Sequence, residues 1–102
     1  MKHNTHELAG ALLDQAASVA DGCAPGVVLP YSSSWEWGGP IIERERISLL
    51  AERHMKEWLA VVGGSQTYDG FEGDFEVPGS TPLIAAMRAF VRMKLGEEVE
   101  LP

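Results

Sequence analysis

Apolar residues recur at helical spacing near both ends of the chain. Near the N-terminus these positions are Leu8, Leu12, Ala16 and Val19. They predict an amphipathic helix over residues 5–20, which Asn4 caps after a frayed start. Near the C-terminus the corresponding positions are Leu83, Met87, Phe90, Val91 and Leu95. They predict a second helix that Ser80 or Thr81 caps and that Gly96 ends.

Shorter apolar runs lie between these two helices. Residues 27–29 precede a proline and predict an edge strand. Residues 47–50 and 58–62 predict an antiparallel pair of strands joined by a polar connection, and the β-branched end of the second run favours this interpretation. One helix over residues 47–59 is the alternative, because several of its positions also fit helical spacing. The tail, residues 97–102, predicts a short final strand.

The stretch from residue 31 to residue 42 holds most of the candidate binding chemistry. Its aromatic and hydroxyl side chains are Tyr31, Ser32, Ser33, Ser34, Trp35 and Trp37. A serine cap before Trp35 predicts one helix start, and Pro40 predicts another. We therefore expect an interrupted helix that ends near Arg44.

These residues predict a site for a small anionic, nucleotide-like ligand. Helix starts attract anions, and aromatic faces stack on bases. Positive charge would come from Arg44, Arg46 and Arg88, or from Arg92 one turn after Arg88. The alternative is structural, with the aromatic residues in the core, the serines acting only as caps, and the arginines in a solvated or salt-bridged face.

Residues 63–80 interleave acidic and aromatic side chains with glycines. This composition predicts a long loop, pinned to the core by Phe71 and Phe75, which can act as a lid over a ligand. The spacing of Asp69, Glu72 and Asp74 differs from that of an EF-hand, so we do not expect calcium binding.

Length, charge and cysteine content exclude several classes of protein function. The 102 residues fit a single domain over residues 1–102. The net charge of −7 argues against general nucleic-acid binding. The single cysteine excludes a disulfide within the chain, and the His3, His6 and Glu7 group lies at a terminus too loose to favour a metal. We expect no cofactor, and the absence of a signal peptide or membrane span predicts a cytoplasmic protein.

Several segments together resemble the NinX-like family of small phage proteins, and a related pattern occurs in phage ABA-sandwich domains. The segments are residues 8–14, 31–35 and 38–47, Trp58, and residues 81–91 and 95–99. The resemblance implies an α+β fold in which helices cover both faces of a small antiparallel sheet. It supplies no catalytic residues, and the sequence contains no catalytic signature of its own.

We therefore expect a non-enzymatic phage accessory protein that acts against host defence in the infected bacterial host. It would bind either a host protein or a small nucleotide-derived molecule. A sharper version is an oligomeric sponge that sequesters a cyclic or ADP-ribose-type signal, since pockets at subunit interfaces let a small chain surround a ligand. A small hydrolase is the remaining alternative.

Overall fold

The structure is a computed structural model that describes residues 1–63, 65–67, 70–72 and 75–101. Its elements in chain order are β1 (Lys2–Asn4), a 3-10 turn (Thr5–Glu7), α1 (Gly10–Ala20), α2 (Trp35–Glu45), β2 (Ser48–Glu52), β3 (Glu57–Val62), β4 (Ser65–Thr67), β5 (Gly70–Glu72), β6 (Phe75–Gly79), α3 (Pro82–Leu95) and β7 (Glu98–Glu100).

The main sheet is antiparallel, with strand order β2-β3-β6. Helix α3 packs on β3 and β6, and α1 and α2 pack against α3. The core therefore lies between the sheet and α3, where Ala60, Val62, Val77, Met87 and Phe90 are buried. The predicted α+β class with a small antiparallel sheet is confirmed. The helical layer reaches this sheet through α3, whereas the family resemblance implied helices on both faces.

The β2–β3 hairpin confirms the predicted strand pair and excludes a helix over residues 47–59. Strands form here because the side chains alternate between the two faces of the sheet. Leu49, Ala60 and Val62 belong to the core or pack against it, and the residues next to them along each strand point to the other face. The turn is made by residues 53–56, of which Lys56 adopts a positive φ of 54°.

The acidic loop prediction was wrong for residues 75–79, which form the third strand of the main sheet. Val77 pairs with Ala60 and is fully buried, while Phe75 packs half-buried against the core. The backbones of β4 and β5 form a separate two-stranded ribbon within the same segment. The calcium and lid hypotheses concern Asp69, Asp74 and the side chain of Glu72, which lie outside the described residues.

The N-terminus is not frayed, because β1 pairs with β7. This pairing also shortens the predicted first helix, since Thr5 is held away from α1. The Thr5 amide donates to the Glu97 carbonyl at 2.8 Å, and its hydroxyl donates to the Gly96 carbonyl at 2.7 Å. Asn4 caps only the 3-10 turn, through the His6 amide, and α1 begins at Gly10.

Two further expectations were wrong in the middle of the chain. Residues 27–29 form no strand, and the Leu29 amide instead donates to the Ser18 hydroxyl at 3.0 Å. Helix α2 is continuous through Pro40 rather than interrupted there. Pro40 is solvent-exposed, so the carbonyl one turn earlier that loses its N–H partner can bond to water.

Helix α3 agrees with its prediction at both ends. The Thr81 hydroxyl accepts from the Ile84 amide at 3.1 Å, and Gly96 follows the last turn. The approach of β6 to this helix start is very close, because a Cβ at Gly79 would collide with the backbone of Ala85. The strand-to-helix turn therefore requires glycine there, and it fixes where α3 begins.

Candidate functional site

A cavity of about 420 Å³ lies where α2 and α3 begin. Its walls are Ser32, Ser33, Trp35, Thr81, Pro82, Leu83 and Ile84. We call it the N-terminal pocket, because both of its walls contain the first residues of a helix. Each wall combines apolar side chains with hydroxyl-bearing residues, a mixture typical of ligand pockets of this size.

A close contact between the two helices builds the pocket. Gly38, in the first turns of α2, is buried against the Tyr31 carbonyl and the Leu83 side chain. A Cβ at position 38 would lie 2.5 Å from the Tyr31 oxygen and 2.6 Å from Leu83 Cδ2. The absence of a side chain at Gly38 therefore lets α2 approach the start of α3 closely.

The segment that leads into α2 is fastened to α1. The Ser32 amide and hydroxyl both donate to Asp14 Oδ1, at 2.8 and 2.6 Å. Tyr31 is only 2% exposed, and its hydroxyl donates to Asp21 Oδ2 at 2.9 Å. Burial raises the pKa of Tyr31, and hydrogen bonding with Cys23 and Asp21 raises it further. Tyr31 thus stays protonated and acts in the scaffold.

The two tryptophans of the predicted site lie on different sides of α2. Residues two positions apart on a helix do not share a face. Trp35 is 55% exposed and lines the N-terminal pocket, beside Gly39 one turn further on. Trp37 is 40% exposed and is not among the residues that line it. Ser34 comes directly before Trp35 as the half-buried N-cap residue, and its side chain forms no cap hydrogen bond.

The structure does not bring the arginines of α2 to Trp35. A rise of 1.5 Å per residue puts Arg44 roughly 14 Å along the axis from Trp35. Arg44 Nη2 donates to Asp21 at 2.9 Å and its Nε to Glu45 at 2.8 Å. These hydrogen bonds, first that to Glu45, raise the pKa of Arg44. Arg46 is exposed at the left-handed residue that ends the helix.

The arginines of α3 are also engaged away from the pocket. Arg88 donates to the Leu8 carbonyl at 2.7 Å and to the Pro78 carbonyl at 3.0 Å. Burial lowers its pKa, while the charge of Glu57 opposes that effect. Arg92 lies 4.4 Å from the Phe75 ring centroid and pairs with Glu97. The salt-bridged interpretation therefore describes Arg92, which pairs with Glu97, whereas Arg88 is bonded to backbone carbonyls instead.

Of the predicted site residues, the structure brings together Ser32, Ser33 and Trp35. The sequence analysis missed the other wall, which is formed by Thr81, Pro82, Leu83 and Ile84. The cap and the proline did mark residue 81 as a helix start. What the sequence lacked was any local signal that this start meets the start of α2.

The histidines and the cysteine considered above form no metal-binding cluster among the described residues. Among them there is no group of three His, Cys, Asp or Glu residues placed to hold a metal ion. His6 Nε2 lies 3.1 Å from Arg92 Nη1, and the Cys23 sulfur lies 3.4 Å from the Tyr31 hydroxyl. These side chains are therefore used in contacts between segments of the fold.

Comparison with known protein families identifies one that matches this chain. The family described as Bacteriophage P22, NinX matches residues 29–94, which is more than half of the chain. The chain belongs to this family. The NinX match includes α2, the main sheet and nearly all of α3, so both walls of the N-terminal pocket lie inside it. The Asp14 anchor in α1 and the β1–β7 ribbon lie outside it.

No curated protein matched the chain in a second comparison. As a NinX-family member it is a phage protein, as the resemblance implied. Across the part of the chain that the structure describes, none of the helices is long and apolar enough to cross a membrane.

Proposed function

We propose that this phage protein is a non-enzymatic binding protein of the infected host's cytoplasm, and that its N-terminal pocket receives an apolar or aromatic side chain from a host protein. The observation that carries the proposal is the exposed Trp35 beside a cavity of about 420 Å³. Tryptophan is enriched among residues that dominate protein interfaces, because it buries a large area at little entropic cost.

Charge supports a protein partner over a ligand with several phosphates. Among the residues that the structure describes, no arginine or lysine lines the N-terminal pocket. Arg44 and Arg92 are already paired with carboxylates, and Arg88 is bonded to backbone carbonyls. The exposed outer face of α2 instead carries Glu36 and Glu43, in a chain of net charge −7. A partner with a basic rim around an apolar anchor would complement this surface.

A nucleotide-derived ligand is the second candidate. What favours it is the position of the pocket at two helix starts, where hydroxyls of Ser33 and Thr81 lie beside a stacking face on Trp35. In this version the protein is a sponge for an immune signal in an anti-defence role. Its anion would be held by hydroxyls and backbone amides, without the arginines that the sequence suggested.

The decisive variants are Trp35→Ala and Trp37→Ala. Both remove a partly exposed tryptophan from the same helix, but only Trp35 lines the pocket. A host protein captured from lysate would be purified, and its affinity for each variant measured by calorimetry. We expect Trp35→Ala to weaken binding about 30-fold or more, the loss expected for an interface hot spot, and Trp37→Ala to change it little. Equal losses from both variants would reject the pocket as the binding site.

A native mass spectrum separates the two candidates. The protein would be purified from host cells that carry nucleotide-signalling defence systems. An added mass of a few hundred daltons that Trp35→Ala removes would support the nucleotide ligand and reject the protein partner as the pocket's occupant. A spectrum without added mass, together with a Trp35-dependent protein complex, would support the partner.

A further inference from the structure

The two edges of the main sheet differ in their capacity to bind another strand. With the order β2-β3-β6, the outer strands are β2 and β6. An edge strand presents unpaired backbone N–H and C=O groups, which proteins commonly block with proline or charge. Edge β6 is blocked in this way: Pro78 has no N–H, and its carbonyl already accepts from Arg88 at 3.0 Å.

Edge β2 has no such block. Its five residues, Ser48–Glu52, contain no proline and no lysine, and the only charge is at the end. The central residue, Leu50, is 40% exposed, and Ala51 is exposed as well. The described hydrogen bonds include none from the backbone of residues 48–52 to any segment beyond β3. The middle of this edge, Leu49–Ala51, is therefore apolar and free of the blocking residues found on β6, which leaves it open to strand pairing.

Pro78 also fixes which residues of β2 point their backbone groups outward. Pro78 lies opposite Leu59 and cannot donate, so Leu59 turns its N–H and C=O the other way, towards Leu50 of β2. Because hydrogen-bonded pairs alternate along an antiparallel ladder, the residues on either side of Leu50 point away from β3. The free backbone groups at this edge therefore belong to Leu49 and Ala51.

From this pattern we infer that β2 pairs antiparallel with β2 of a second copy of the chain, around a two-fold axis at Leu50. Leu49 of each copy then lies opposite Ala51 of the other, and the outward groups of both residues form four backbone hydrogen bonds. The two Leu50 residues face each other as a non-hydrogen-bonded pair, in which side chains are closest. The result is a continuous six-stranded sheet.

This register is the one that the side chains of β2 favour. Glu52 lies opposite Ser48 of the second copy, so no like charges meet across the junction. A shift by one pair would place Leu50 opposite Ser48 or Glu52 and lose the leucine contact. On the face that bears Leu50, the row formed with Leu59 and Pro78 continues into the same row of the second copy. The pairing is independent of the proposed pocket function.

Sedimentation of matched variants tests the pairing. Wild type is expected to shift from the 11.1 kDa chain towards twice that mass as its concentration rises to the millimolar range. Leu50→Arg places two positive charges opposite each other at the two-fold axis. Ala51→Pro removes an outward N–H and leaves the hydrogen bonds between β2 and β3 intact. Both should remain monomeric at every concentration. The control is Leu12→Arg on α1, which changes an equally exposed leucine, 38%, away from this edge and should still dimerise.

Amide exchange supplies a reading specific to β2. The amides of Leu49 and Ala51 should exchange fast in dilute protein and become protected as the dimer forms, while Leu50, already in the ladder with β3, should be slow throughout. Far-UV circular dichroism confirms that each variant is folded. A wild type that stays monomeric to millimolar concentration overturns the inference. So does a dimer that withstands Leu50→Arg and Ala51→Pro, or one that Leu12→Arg dissociates.

Discussion

The contact between α2 and α3 at Gly38 can be tested with a pair of adjacent glycines. Gly38 and Gly39 are both inside α2, so alanine at either should gain about 1 kcal/mol of helix propensity. Their surroundings differ. A Cβ at Gly38 would lie 2.5 Å from a backbone oxygen and 2.6 Å from a buried leucine, whereas one at Gly39 would meet only a ring carbon of Trp35 at 3.9 Å.

These distances predict that the two substitutions change the stability of the protein in opposite directions. The contact at Gly39 is an ordinary van der Waals separation, so Gly39→Ala should stabilise the protein by about 0.5–1 kcal/mol. Gly38→Ala makes the same local gain but must push α2 away from Tyr31 or distort Leu83, and overpacking of this kind costs about 1–3 kcal/mol. Both variants gain the same helix propensity, so the difference between their free energies of unfolding measures the steric cost at Gly38 alone.

Urea denaturation followed by far-UV circular dichroism measures that difference without relying on Trp35 as the probe. With a denaturant slope of about 1–3 kcal/mol/M, about 1 kcal/mol corresponds to a shift of roughly 0.3–1 M in the urea midpoint, so the two variants should be clearly separated. If Gly38→Ala proved as stable as Gly39→Ala, the close contact would not hold α2 against α3, and the construction of the N-terminal pocket described above would be refuted.

Two further predictions concern the ends of helices α3 and α2. Thr81→Ala removes the acceptor for the Ile84 amide and should lower the free energy of unfolding by about 1 kcal/mol, whereas Thr81→Ser should retain it; equal losses in urea denaturation would contradict the cap. The hydrogen bond from Arg44, and after it the charge of Lys94, lowers the pKa of Glu45 in the folded state. The contribution of the Glu45 carboxylate to the free energy of unfolding is therefore present above the unfolded pKa of about 4.3 and is lost as the pH falls through the folded pKa. Glu45→Gln should therefore flatten the acid limb of stability against pH, by about 0.2–1 kcal/mol for a pair this exposed, and an unchanged limb would contradict the linkage.

Elements whose signals are local were predictable from the sequence. Helix α3 has its cap, its proline and its closing glycine within its own residues, and both ends agree with the structure. The β2–β3 hairpin alternates between faces over adjacent segments. In both cases the residues that decide the element lie within it or next to it, so no knowledge of distant segments was needed.

Elements that depend on a distant partner were not predictable. Residues 75–79 follow a glycine-rich acidic stretch and contain a proline, and they become a strand because β3 offers them an edge. Likewise, β1 exists because β7 returns to it from the far end of the chain. The candidate site divides in the same way: Trp35 and its serines were identified, but the wall from α3 was not, because a contact across some 50 residues leaves no local pattern.

The continuity of α2 has the largest consequence for function. A helix interrupted at Pro40 could have folded Arg44 back beside Trp35, which is what a site for a phosphorylated ligand needs. The continuous helix instead separates them by roughly 14 Å, and Arg44 contacts Asp21 and Glu45, where it ties α2 to the end of α1. The pocket is therefore left with shape, an aromatic face and hydroxyls but without a cation. Apolar fit would then decide what the pocket binds, and this is the reason why we propose a protein side chain over a nucleotide.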